Sequence, residues 1–136
     1  MRFMIIVKAT KESETGALPS PEMLAAMGTF NEELTKAGVM LDGAGLKASK
    51  FAARVKFAPD NKRSVVDGPF TETKELVAGY WIWECKSLEE AVEWVKRCPH
   101  PHPASGAAEI EIRPFFELDE LPEVVGAARA IQASKK

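Results

Sequence analysis

Cysteine and histidine are scarce in this chain of 136 residues, with two of each, and tyrosine occurs once. The cysteines, Cys85 and Cys98, fall on different predicted elements. They form neither a disulfide framework nor a metal-binding spacing, so each is expected as a reduced thiol packed like a small hydrophobe. The histidines, His100 and His102, stand two apart in a proline-rich loop. They could point the same way from an extended backbone, and zinc favours imidazole. No third His lies near them in sequence, and no metal site and no cofactor is expected. A phosphate-cradling glycine loop, a nucleotide fingerprint and a Ser/His/Asp pattern are all missing.

Long apolar runs are missing as well. Nothing approaches the ~20 residues of a membrane span, and the start MRFMIIVKAT is too short in its apolar part for a secretory signal. An excess of one charge sign is also lacking: 18 basic residues stand against 20 acidic, for a net charge of −2. That balance argues against a nucleic-acid partner and a membrane surface. The expected compartment is the cytoplasm.

What is present is an ordinary amount of hydrophobic sequence in recognisable periods. Arg2 to Lys8 is a compact apolar run suited to a central strand. Thr10 to Pro19 reads as a loop; Ser20-Pro21 is a helix start, and Met23, Met27, Phe30 and Leu34 build one apolar face as far as the stop at Gly38. Val39 to Leu41 reads as a short strand broken by Gly43-Ala44-Gly45. Ala53 to Ala58 and Ser64 to Val66 read as a hairpin around Pro59-Asp60-Asn61-Lys62. Asp67-Gly68-Pro69-Phe70 is a turn, and Thr71 to Glu75 makes at most one helical turn. Val77 to Cys85 is the strongest strand. Ser87 opens a helix with Leu88, Ala91, Val92 and Val95 on its buried face, and Glu109 to Phe116 is the last strand.

This order predicts an α+β domain with ferredoxin-like βαββαβ wiring and an inserted hairpin, in which two helices cover one face of an antiparallel sheet. Alternation puts Trp81 and Trp83 on one face and Tyr80, Ile82 and Glu84 on the other. Both faces carry large apolar groups, so a second copy of the chain is expected to cover the open one.

DGPFTETKE at Asp67–Glu75, followed by GYWIWE at Gly79–Glu84, resembles the DGPF-type branch of the YCII-related family. The segments RFMIIVK, AGVMLDGAGL, SLEEAVEWVKRCP and EIEIRPFFE are similar to that family too, so the resemblance runs to Glu117. It implies a domain over residues 1–117 of the dimeric α/β-barrel type, working as a homodimer; beyond it, residues 118–136 read as a tail, with a surface helix expected from Pro122 to Lys136. It does not imply one reaction. Some relatives are encoded beside extracytoplasmic-function sigma factors. In the wider family an enzymatic role has been inferred from a His–Asp pair, and one relative removes chloride from a chlorinated hydroquinone. This chain departs from that pattern, since no histidine stands in the first helix or beside the first strand to pair with Asp67.

The residues expected to carry chemistry cluster at the turn. Asp67, held by Gly-Pro, is the candidate general base, and Glu75 the second carboxylate. Lys74 and Arg113 are placed to hold an anionic group, with Phe70 and Tyr80 as ligand-contacting rings. A small organic acid undergoing proton transfer or elimination, as in a lyase, isomerase or dehalogenase, fits that set. Two other readings stay open: a ligand-binding module without turnover, and a regulatory dimer. The same residues can also be structural, with Asp67 closing the turn and Lys74 and Glu75 either solvated or paired with Arg113.

Overall fold

A computed structural model describes residues 1–120. The four-stranded antiparallel sheet has the order β2-β5-β1-β6, formed by Met40–Gly45, Val77–Glu84, Arg2–Lys8 and Ile110–Pro114. Among the described residues three helices accompany it, α1 (Lys11–Glu14), α2 (Pro21–Lys36) and α3 (Leu88–Lys96). A separate two-stranded sheet holds β3 (Ala53–Phe57) and β4 (Arg63–Asp67). The wiring is the expected ferredoxin-like one, with β3 and β4 as the inserted hairpin.

Alternation sorts the sheet's two faces. Phe3, Ile5 and Val7 of β1 are buried beneath the helices, beside Trp81 and Trp83 of β5. Ile110 and Ile112 of β6 pair with Val7 and Ile5 and share that face. From α2, Phe30 sets its ring edge-on to both indoles, at 5.9 and 6.2 Å between centroids. Phe3, Ile5, Leu34 and Trp83 are fully buried, each contributing about 1.5–3 kcal/mol through lost water contact. On the other face Met4, Ile6, Tyr80 and Ile82 are only half-buried. Lys8 and Glu111 meet there at 3.5 Å.

The helix starts follow from local chemistry. Ser20 Oγ accepts the backbone N–H of Met23 at 3.1 Å, with Pro21 in the first turn of α2. Ser87 Oγ does the same for Glu90 at the start of α3. Two local expectations are corrected. Thr10 to Ser13 is not plain loop, because Thr10 and Ser13 cap each other reciprocally and open the four-residue α1. Gly43-Ala44-Gly45 does not break the second strand, which runs on to Gly45 and pairs with β5 there, its register shifting earlier, between Met40 and Asp42. The glycines persist in the strand because β5 presses its Trp81 against one of them. A Cβ on Gly43 would lie 2.6 Å from Trp81 Cδ1.

After β6 the chain makes a 3-10 turn at Leu118–Glu120. The helical tail expected beyond it lies outside the described residues from 121 onward.

Candidate functional site

A cavity of about 560 Å³ lies between the N-terminal half of α2 and the sheet, within the size range of small-molecule sites. Its floor is strand backbone. Gly43 and Gly45 of β2 and Gly79 of β5 take part in the register Gly43↔Trp81 and Gly45↔Gly79, so all three belong to the helix-facing side. With no side chains there, the ladder is bare between β2 and β5. A Cβ on Gly45 would meet no atom within 4 Å, so that position opens straight into the space. Met23 and Met27 of α2 and the indole of Trp81 form apolar walls.

Two polar side chains are fixed at this cavity. Asn31, from the middle of α2, accepts the indole N–H of Trp81 at 2.9 Å through Oδ1. Its amide NH2 has no hydrogen-bond partner among the described residues. His102 arrives from the loop after α3 and closes on the end of β1, where Nε2 lies 3.0 Å from the carbonyl oxygen of Lys8. A carbonyl only accepts, so Nε2 carries hydrogen and the neutral ring keeps its lone pair on Nδ1. The backbone N–H of His102 in turn donates to Nδ1 of His100, whose Nε2 donates to the carbonyl of Gly106 at 2.9 Å. This chain of bonds ties the proline-rich loop to itself and to β1. A histidine therefore does stand beside the first strand, brought there from far along the chain. Among the described residues Asp42 is the one Asp, Glu, Lys or Arg of the lining, and its carboxylate accepts the backbone N–H of its neighbour Gly43 at 2.8 Å.

The residues expected at the turn are not gathered at this cavity. Of them, Tyr80 alone contributes to the lining. By register its side chain belongs to the face shared with Ile82, away from the helices. Asp67 ends β4 opposite Ala53 and is exposed. Lys74 and Glu75 are exposed in the 3-10 turn Thr73–Glu75. Arg113 sits on the edge strand β6, 69% exposed, and its ion pair is with Glu111 at 3.7 Å, not with Glu75. Phe70 is half-buried under the guanidinium of Arg54, 3.8 Å above its ring centre.

The turn's role in the fold is visible in its contacts. Buried Ser49 receives the backbone N–H of Phe70 on Oγ at 2.9 Å and donates its own hydroxyl to the carboxylate of Glu14. Gly68 donates its N–H to Ala52 O at 2.9 Å. A Cβ on Gly68 would fall 1.7 Å from the carbonyl oxygen of Ser49, so no other residue fits. These bonds clamp the base of the β3–β4 hairpin to the body.

Burial pushes the thiols of Cys85 and Cys98 up to about 11, which keeps them protonated and unreactive at neutral pH. Among the described residues, no group of three or more His, Cys, Asp and Glu side chains is arranged to hold a metal ion. No helix there is long and apolar enough to cross a membrane.

The residues that sequence reasoning passed over are Asn31 and the glycine floor, while His102 was weighed only as a metal ligand. A trace existed: Gly43 and Gly45 are two apart, which in a strand means one shared face. Nothing local in the sequence aims the His102 loop at Lys8.

Among known proteins the chain is similar to Uncharacterized protein R00369 of Rhizobium meliloti (strain 1021), with 28% identity over 114 residues, 82% of this chain and 91% of the relative. Among solved structures it is similar to the 5-chloro-2-hydroxyhydroquinone dehydrochlorinase of Burkholderia phenoliruptrix AC1100, in complex with 2,5-dihydroxybenzoquinone. That likeness has a TM-score of 0.46 and 19% identity, and covers 86% of this chain and 95% of the other. The family model of the YCII-related domain matches residues 1–116, and with that span the chain belongs to the YCII-related family.

Proposed function

We propose that the glycine-floored cavity binds a small, largely apolar organic molecule bearing a hydroxyl or an enolisable carbonyl, and that His102 handles its proton. The observation that carries this reading is the fixed tautomer of His102. With Nε2–H given to Lys8, Nδ1 is the basic atom left for a ligand. The amide NH2 of Asn31, held in place through Trp81, is a donor suited to an oxygen that gains negative charge as the proton leaves. Proton transfer, or elimination of a leaving group after it, is chemistry that such a pair performs. Among the described residues no Lys or Arg lines the cavity, so a neutral molecule or a weak acid suits it better than the carboxylate expected from the sequence.

One observation favours binding without turnover as the second reading. The imidazole is oriented by a carbonyl, not by a carboxylate, so an imidazolium formed in a reaction lacks a charged partner.

A thermal-shift and calorimetric screen of small phenols, enols and ketones, with matched carboxylates as controls, tests the proposal. Ligands should bind the wild type and fail to bind Gly45→Val, whose Cβ has no atom within 4 Å and whose branched side chain takes up ligand space. Hits that bind Gly45→Val as well as the wild type would refute it.

The working unit in this reading is a homodimer. The half-buried stripe of Met4, Ile6, Tyr80 and Ile82 on the helix-free face supports it.

A further inference from the structure

The β3–β4 hairpin stands apart from everything else in the fold. Every residue from Lys50 through Asp67 is exposed. The exposed set includes large apolar side chains: Phe51 at 66%, Phe57 at 67%, Val65 at 67% and Val55 at 52%. Val55 pairs with Val65 and Phe57 with Arg63, so an apolar stripe runs along one side of the ribbon. A lone two-stranded ribbon is marginal in water and needs a surface to pack on. Its base is nonetheless fixed, by Ser49, Gly68 and the stacking of Arg54 on Phe70. The result is an arm anchored at its base with an uncovered apolar side.

We propose that this arm lies against the body of a second copy of the chain, each copy clasping the other. The proposal rests on the homodimer reading and names the element that holds the two copies together. Charge complementarity identifies the occupant. Residues 47–67 hold six Lys and Arg against two Asp, a net charge of +4. The remaining described residues, 1–46 and 68–120, hold nine Lys and Arg against seventeen Asp and Glu, a net charge of −8. The chain therefore carries both the basic arm and the acidic surface that suits it, and a twofold pair satisfies both contacts at once. Nucleic acid fits the arm less well. Its aliphatic stripe has nothing to gain from phosphate, and cations already stand over its rings, Arg63 at 4.9 Å from Phe57 and Lys47 and Lys50 each at 5.2 Å from Phe51.

Sedimentation and light scattering of the full chain test the proposal, with circular dichroism to monitor folding. The wild type should be a dimer that weakens as salt is raised. Val55→Glu combined with Val65→Lys keeps an opposite-charge cross-strand pair in the ribbon and should give a folded monomer. Lys56→Glu with Arg63→Glu leaves the apolar stripe in place and should raise the dimer dissociation constant by at least about tenfold. A dimer of unchanged strength in both variants overturns the arm's role while leaving the dimer reading intact. A wild-type monomer overturns both, and a wild-type monomer that retards a DNA or RNA duplex assigns the arm to nucleic acid instead.

Discussion

His102 gives its Nε2–H to the carbonyl oxygen of Lys8 at 3.0 Å, joining a loop near the end of the domain to its first strand at the mouth of the cavity. Replacing it with Gln preserves a donor for Lys8 and removes the basic ring nitrogen. His102→Gln should therefore keep ligand affinity within about tenfold and lower any turnover by at least about 100-fold, the usual contribution of a positioned general base. Asp67→Asn and Arg113→Ala should change neither quantity. Steady-state kinetics and calorimetry on the same ligand check all three, and a large effect of Asp67→Asn would move the site back to the turn.

Asn31 and Gly43 both act through Trp81. Asn31→Ala removes the acceptor of the indole N–H, and Gly43→Ala drives a methyl to 2.6 Å from the ring. Each should cost about 1–3 kcal/mol of stability and shift the tryptophan emission as the ring leaves its seat. Denaturant titration followed by fluorescence reads both effects. Unchanged emission in both variants would mean that the indole is not held as described.

The hairpin clamp gives a sharper stability prediction. Ser49→Ala strands the backbone N–H of Phe70 and the carboxylate of Glu14 in a part-buried place, at a cost of about 1–3 kcal/mol. Gly68→Ala should be worse, because the obstacle is a backbone carbonyl that cannot swing aside. Urea unfolding should rank them wild type, Ser49→Ala, Gly68→Ala. A Gly68→Ala protein as stable as the wild type would contradict the packing.

Acid should loosen the chain's ends in a defined way. The backbone N–H of Arg2 binds the carboxylate of Glu117 at 3.1 Å and, with the nearby guanidinium, holds its pKa below the ordinary 4.5. A depressed carboxyl adds stability that is present above about 4.5 and fades as pH falls through the lowered value. Glu117→Gln should be less stable than the wild type at neutral pH, and the gap should narrow below about 4.5. Parallel stability curves against pH for the two proteins would reject this.

The fold was legible in the sequence because its signals are local. Alternation in Arg2–Lys8 and Val77–Glu84, and caps at Ser20 and Ser87, fix strands and helices within a few residues of themselves. The family resemblance from Asp67 to Glu84 was legible for the same reason. The site was not, because its parts are set by tertiary geometry. His102 reaches β1 across 94 positions of sequence, and Asn31 reaches Trp81 across 50. The motif at Asp67–Glu75 drew attention as chemistry, yet Gly68 and Phe70 are explained by the carbonyl and hydroxyl of Ser49. The glycines at 43 and 45 read as breakers because propensity counts what a glycine lacks, and it cannot see the neighbouring indole that requires the lack at Gly43.

The strand β1 occupies an interior place in the sheet, and its two neighbours are β5 and β6. During synthesis β1 thus leaves the ribosome before either of its partners. Until Ile110–Pro114 has appeared, Phe3, Ile5 and Val7 remain on an unfinished edge, open to contact with other nascent chains. The β3–β4 ribbon, by contrast, closes on residues a short distance away and can form as soon as it is made. Loss of β6 should therefore yield insoluble protein, not a shortened soluble domain, and the chain should lean on holdase chaperones until β6 has been made.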